Sequence, residues 1–158
     1  MIIRPLQDQD LTACRETIID AIENSDPLDH GDQSEFVASW SEAALALLTE
    51  PEAAHAITIV CQVGNEIAGL AQLNRDGEIK LFYVKASWQR RSIGRALLAE
   101  LALNAQCLGI ECLQIYSSNT SRLFFLAHGF RAKFTDFSEW LTTDLSHWKL
   151  TYEHTITH

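Results

Sequence analysis

Leu81-Phe-Tyr-Val-Lys-Ala-Ser-Trp-Gln-Arg-Arg-Ser-Ile-Gly-Arg95 holds the most information in this chain. A strand ends, a short loop follows and a long helix begins. The first N–H groups of a helix have no partner within it, and the helix macrodipole adds positive charge there, so such a junction suits an anion. Gly94 lacks a Cβ and lets the backbone come close to a ligand. Ser92 is small and can cap the helix. Lys85, Arg90, Arg91 and Arg95 are four cations within eleven residues of an otherwise acidic chain. On spacing alone the stretch reads equally well as an ordinary N-capped helix with a solvated basic turn.

Upstream, residues 2–4 open as a short strand ended by Pro5. Asp10 can cap a helix over residues 11–22, where Cys14, Ile18, Ala21 and Ile22 recur at helical spacing. Residues 24–34 are a polar loop rich in Asp, and Asp32-Gln-Ser-Glu35 has capping-box spacing before a second helix to residue 49. Residues 57–63, 67–73 and 79–84 read as strands joined by turns at Gly64-Asn65 and Asp76-Gly77, which predicts an antiparallel meander. Downstream, Ile93, Leu97, Leu101 and Leu108 share one face of a helix over residues 92–107, stopped by Gly109. Residues 113–116 read as a strand. A helix capped by Asn119 or Thr120 runs to His128, with Gly129 as its terminating glycine, and residues 130–134 and 148–152 are strands. The order β-α-α-β-β-β-α-β-α-β-β predicts an α/β (α+β) fold: a mixed sheet with helices packed on it, in a single domain over residues 1–158.

Gln89-Arg90-Arg91-Ser92-Ile93-Gly94, followed by Arg95-Ala-Leu-Leu98, resembles the Gln/Arg-x-x-Gly-x-Gly/Ala signature of the GNAT superfamily of N-acetyltransferases. Serine stands where that family usually has its first glycine. Tyr83-Val-Lys-Ala-Ser-Trp88 resembles the Val-x-Pro segment that leads into the signature, with Ala86 in the proline place. Leu113-Gln-Ile-Tyr-Ser-Ser-Asn119 and Leu126-Ala-His-Gly-Phe130 resemble the family's fifth strand, fourth helix and Gly-Phe strand start. The resemblance implies a mostly antiparallel sheet, split into a V between its fourth and fifth strands, with helices on both faces. It also implies acetyl-CoA, whose pantetheine arm lies in the V like an extra strand. Carried over, Val84 offers backbone hydrogen bonds near the thioester, and Gln89 opens the signature. The amides of Arg90, Arg91, Ser92, Ile93, Gly94 and Arg95 hold the pyrophosphate. Lys85 and the arginines approach the 3′-phosphate, and Asn119 lies near the pantetheine arm.

Direct acetyl transfer needs a neutral amine, a stabilised oxyanion and a departing thiolate. The chain has no Gly-x-Ser-x-Gly elbow and no Cys beside a His, which favours attack without a covalent intermediate. Glu78, six residues before Val84, would share its face under period-two alternation and is the candidate base. Many relatives carry a glutamate on this strand; the alternative is a solvent-facing residue beside the Asp76-Gly77 turn. Asp26, Asp29 and Asp32 are candidates to recognise a cationic amine, or simply form a solvated loop. The family often places a proton-donating tyrosine four residues before the glycine of Gly-Phe. Here that residue is Phe125, which cannot donate and is expected to pack against the pantetheine arm. Tyr116 and Tyr83 are the other candidate donors, and His128 reads as a helix-end residue on the last carbonyls.

The 158 residues, 47% hydrophobic and 21% charged, suit a globular domain and exclude disorder over most of the chain. The net charge of −9 argues against nucleic acid and anionic membranes and favours a basic substrate. No apolar run reaches the ~18 residues of a membrane span, and the N-terminus lacks a signal-peptide pattern. With no Cys-x-x-Cys among Cys14, Cys61, Cys107 and Cys112, all four read as buried thiols of a cytoplasmic protein. No metal is expected, since His154 and His158 lack the glutamate of a metalloprotease helix. Trp140 and Trp148 are candidates for a homodimer contact or for the core. Two functions follow. One is acetylation of a primary amine on a small molecule or peptide. The other is a CoA-binding sensor or interaction module without turnover, which Phe125 favours.

Overall fold

A computed structural model describes residues 1–24, 34–117, 119–132 and 150–156. Asp26, Asp29, Asp32, Trp140 and Trp148 lie outside the described residues. The elements are β1 Ile2–Pro5, α1 Leu11–Glu23, α2 Ser34–Thr49, β2 Ile57–Val63, β3 Glu66–Leu73, β4 Glu78–Val84, α3 Ile93–Cys107, β5 Cys112–Ser117, α4 Asn119–Ala127, β6 Arg131–Ala132 and β7 Leu150–Thr155. This is the predicted order, with β7 running three residues further than expected. The strands form one seven-stranded sheet in the order β1-β2-β3-β4-β5-β7-β6. All pairs are antiparallel except β4 with β5.

Helices cover both faces. Cys14, Ile18 and Ile22 of α1 and Ala44 and Leu48 of α2 pack on Val60, Leu70 and Leu81. Leu97, Leu101 and Ala105 of α3 and Phe125 of α4 pack on Ile59, Ala71, Leu73 and Ile115. β3 is therefore buried on both sides, which is why Ile67–Leu73 reads as a near-continuous apolar run rather than an alternation. Its one polar member, Gln72, donates to the Leu47 carbonyl at 2.8 Å and to Thr58 Oγ1 at 3.1 Å. Asp10 does not cap α1 with its side chain. Its carboxylate is taken by Arg4 at 2.7 and 2.9 Å and by the Gln7 amide at 2.8 Å, so it ties β1 to the start of α1 instead.

The sheet divides between β4 and β5. They pair only at Glu78↔Gln114 and Ile79↔Ile115. The Gln114 amide donates to the Gly77 carbonyl at 2.9 Å. Beyond Ile79, β4 runs along β3 alone and β5 along β7. This is the V expected between the fourth and fifth strands. Gly77 at its apex has φ +99°, and a Cβ there would strike the Cys112 carbonyl.

A second irregularity bends β4. Its register on β3 steps from Gln72↔Leu81 to Leu73↔Ile79, leaving Lys80 as an extra residue. The bulge shifts the alternation. Ile79, Phe82 and Val84 face the α3 layer, whereas Leu81 and Tyr83 face α1 and α2.

The apex makes a stability prediction. Gly77→Ala should destabilise by about 3 kcal/mol through left-handed strain plus the carbonyl clash. Gly64→Ala, at φ +60° with open space around it, should lose only about 1 kcal/mol. Urea unfolding of both variants measures this, and equal losses would show that the apex imposes no special constraint.

Candidate active site

The Lys85 amide donates to the Ala68 carbonyl on β3 at 2.9 Å. By the alternation of an antiparallel ladder, the polar groups of Tyr83 also face β3, and those of Phe82 and Val84 face the V. Gln89 Nε2 reaches the Val84 carbonyl at 3.3 Å, in keeping with that direction. One wall of the V is thus a strand edge to which no strand pairs among the described residues.

The loop after β4 begins with a 3-10 turn, Ala86–Trp88. Arg90 and Ser92 follow in left-handed conformation, at φ 61° and 66°. That geometry accounts physically for glycine at the family's equivalent of Ser92. The Ser92 carbonyl accepts the first α3 bond, from the Ala96 amide at 3.0 Å. The Ser92 side chain makes no cap bond, contrary to expectation, because the helix is entered from the left-handed rather than the extended backbone that capping uses. The amides of Ile93, Gly94 and Arg95 therefore have no acceptor among the described residues. Gly94 serves packing: a Cβ there would sit 3.2 Å from the Phe124 ring.

The four cations divide into two pairs. Lys85 binds Glu66 at 3.1 Å. The Lys85 ammonium, and after it the Trp88 indole, hold the Glu66 carboxyl below the usual range. Arg91 stacks over Trp88 at 5.3 Å. Arg90 and Arg95 are exposed and have no partner among the described residues.

The expected chemistry is only partly assembled. Glu78 sits at the closed end of the V, 36% exposed and 3.1 Å from Lys80. It lies on the face of Leu81 and Tyr83, opposite Val84, because the bulge overturns the simple alternation. Phe125 is fully buried, in ring contact with Phe82, Phe124 and Phe130 at 5.2, 5.1 and 5.1 Å. It has no surface to present to an arm in the V, which corrects the expectation that it packs there. Tyr83 faces the α1–α2 layer, and burial pushes its phenol up to about 12, a poorer proton donor than an ordinary tyrosine. Asn119 starts α4, and Tyr116 lies near the end of β5. His128 Nδ1 lies 2.7 Å from the Phe124 carbonyl, the helix-end contact expected of it.

The cysteines depart from uniform burial. Cys14 and Cys61 are buried, and burial raises both thiols, Cys14 to about 12; Cys107 is exposed and Cys112 half-buried. Among the described residues no group of three or more His, Cys, Asp or Glu could hold a metal, and no helix is long and apolar enough to cross a membrane. A cleft of about 570 Å³ opens elsewhere, lined by Arg4, Leu48, Thr58 and Glu100 at the β1 end of the sheet. Three contributors to the loop had no signal in the sequence: Asp20, whose Oδ2 accepts the Ala86 amide at 2.7 Å, Glu66 and Phe124. Each acts across a tertiary contact, which no local pattern encodes.

The acetyltransferase (GNAT) domain family model matches residues 23–140. The chain belongs to the GNAT family. Solved GNAT-type structures share the fold. A GCN5-related N-acetyltransferase from Rhodopseudomonas palustris superposes with a TM-score of 0.79 at 20% identity, covering 98% of this chain and 94% of that one. The PaiA N-acetyltransferase from Thermoplasma acidophilum, solved with coenzyme A, gives 0.76 at 18% identity, with 98% of each chain covered. The ribosomal-protein-S18-alanine N-acetyltransferase from Escherichia coli gives 0.69 at 17%, covering 99% of this chain and 94% of that one. Among curated proteins none matches. The signature stretch, residues 89–94, runs directly into the helix start whose Ile93, Gly94 and Arg95 amides have no acceptor among the described residues.

Ser92 tests this local account. Ser92→Ala should change stability by less than about 0.3 kcal/mol, since no cap bond is lost, and Ser92→Gly should be neutral or gain up to about 1 kcal/mol by relieving the left-handed strain. Thermal unfolding reads both; a loss of about 1 kcal/mol in Ser92→Ala would show that the hydroxyl caps α3 after all.

Proposed function

We propose that this GNAT-family chain is a single-domain N-acetyltransferase, moving the acetyl group of acetyl-CoA directly to a primary amine of a small molecule or peptide. The observation that carries this is the β4 edge at Phe82 and Val84, which among the described residues pairs with no strand and ends in a loop leading into three helix-start amides without acceptors. The pantetheine arm has amides of its own and suits that edge as an added strand. Its pyrophosphate suits the Ile93–Arg95 amides, where helix dipole and free N–H groups coincide. Arg90 and Arg95, left unpartnered, are the cations proposed for the phosphates, while Lys85 and Arg91 stiffen the loop.

Bound acetyl-CoA supplies the activated acetyl thioester. The chain supplies the rest. Val84 orients the thioester end through its backbone. Glu78, on the face of α1 and α2, is the proposed base that takes the amine proton, directly or through water. With Phe125 sealed among aromatic rings, the thiolate leaves unprotonated or takes its proton from water. Asp26, Asp29 and Asp32 remain the proposed contacts for a cationic acceptor, which the charge of −9 favours. A cytoplasmic site of action rests on the cysteine pattern.

The same sealed Phe125 favours the second reading, a CoA-binding module without turnover. Thermal unfolding with acetyl-CoA at ~100 times Kd should raise Tm by roughly 5–10 °C. An amine screen following CoA release then separates the readings, because a rise in Tm with no release from any amine would leave the binding module.

Two substitution series follow. Arg90→Ala and Arg95→Ala should each weaken CoA binding about tenfold, against about threefold or less for Lys85→Ala and Arg91→Ala. Calorimetric titration measures this, and the reverse ranking would reassign the phosphate contacts. Glu78→Gln should lower kcat by about 10²-fold or more at neutral pH with KM for acetyl-CoA little changed. Unchanged kcat at every pH would remove Glu78 as the base.

A further inference from the structure

We infer that Asp20 is a positioning residue, holding the start of the phosphate loop from α1 through the Ala86 amide. The inference rests on the acetyl-CoA reading above. Asp20 Oδ2 accepts the Ala86 N–H at 2.7 Å, bridging 66 residues of sequence in a part-buried setting. Ala86 occupies the place where the resembled signature has proline, and proline has no N–H. An alanine there adds a donor that must find an acceptor or lose its hydration unpaid. This chain supplies the acceptor from a different layer of the fold.

Nothing local explains the acid. Asp20 lies in the last turn of α1, where a negative charge opposes the macrodipole. No cation pairs with its carboxylate among the described residues. Among the described residues its one side-chain hydrogen bond goes to the loop, and a carboxylate on an amide is a strong, charge-assisted bond.

The loop needs such an anchor. Arg90 and Ser92 are both left-handed, and strained residues persist only where their surroundings over-determine them. At the loop's entrance Lys85 is fixed to β3 by its amide and to Glu66 by its side chain, and Ala86 is fixed to α1 by Asp20. At its exit α3 packs through Ile93 and Leu97. Releasing Ala86 lets the strained segment relax, and the amides it aligns disperse before any ligand arrives.

The test is calorimetric titration of the intact chain with CoA, together with unliganded Tm, for Asp20→Asn, Asp20→Ala, Ala86→Pro and the Asp20→Ala/Ala86→Pro double variant. Proline is compatible with position 86: Lys85, at φ −53°, ψ 140°, lies outside the helical region that a following proline disfavours, and Ala86 opens a 3-10 turn. Asp20→Ala should weaken CoA about tenfold, and Asp20→Asn, which keeps an oxygen acceptor, should stay within about threefold. In the Ala86→Pro background, Asp20→Ala should change Kd less than about twofold, because no donor remains for it to hold. A lowered Tm with unchanged Kd would overturn the inference, since the bond would then be merely structural. So would an equal loss of affinity in the proline background. Failure of the unaltered chain to bind CoA would overturn the acetyl-CoA reading itself.

Discussion

Among the described residues, two ladder pairs, Glu78↔Gln114 and Ile79↔Ile115, join the β1–β4 half of the sheet to the β5–β7–β6 half. A longer ladder would close the sheet and leave no edge. A shorter one would leave the halves joined only through their helices. The pivot depends on Gly77, whose backbone turns left-handed and whose missing Cβ gives the Cys112 carbonyl room. Parallel neighbours require a crossover connection, and α3 is that crossover. The same geometry that splits the strands therefore sets a helix start beside the opening.

The loop between β4 and α3 spends conformational strain to aim its amides. Left-handed Arg90 and Ser92 would relax in a free peptide. They are held by an ion pair to β3, a stacked guanidinium on Trp88, a hydrogen bond from the Ala86 amide to α1 and the apolar seating of α3. At the loop, Arg90 and Arg95 have no partner among the described residues, in a chain of net charge −9. Such a local reversal of sign focuses an anion on one loop while the remaining surface repels it.

Much of the fold was legible because its signals are local. Element order followed from periodicity and turn chemistry, as at Asp76-Gly77, and the signature at residues 89–94 marked the helix start. What sequence could not show depends on tertiary register. The bulge at Lys80 is visible only against β3, so Glu78 and Val84 looked like neighbours on one face when they are not. Phe125 looked like a ligand contact because its sequence position is right, yet the rings of Phe82, Phe124 and Phe130 enclose it. Ser92 and Asp10 both looked like helix caps. One is turned away by its backbone and the other is claimed by Arg4. Asp20 carried no signal, since its partner lies 66 residues away.

The central claim is that the open edge of β4 receives the extended arm of CoA as a strand. Residue-resolved amide hydrogen exchange at Phe82 and Val84, with and without saturating CoA, tests it most directly. The account predicts that both amides exchange readily in the free protein and become protected on binding, together with Ile93–Arg95. CoA binding established by a Tm shift, with exchange at Phe82 and Val84 unchanged, would contradict it and place the arm outside the V.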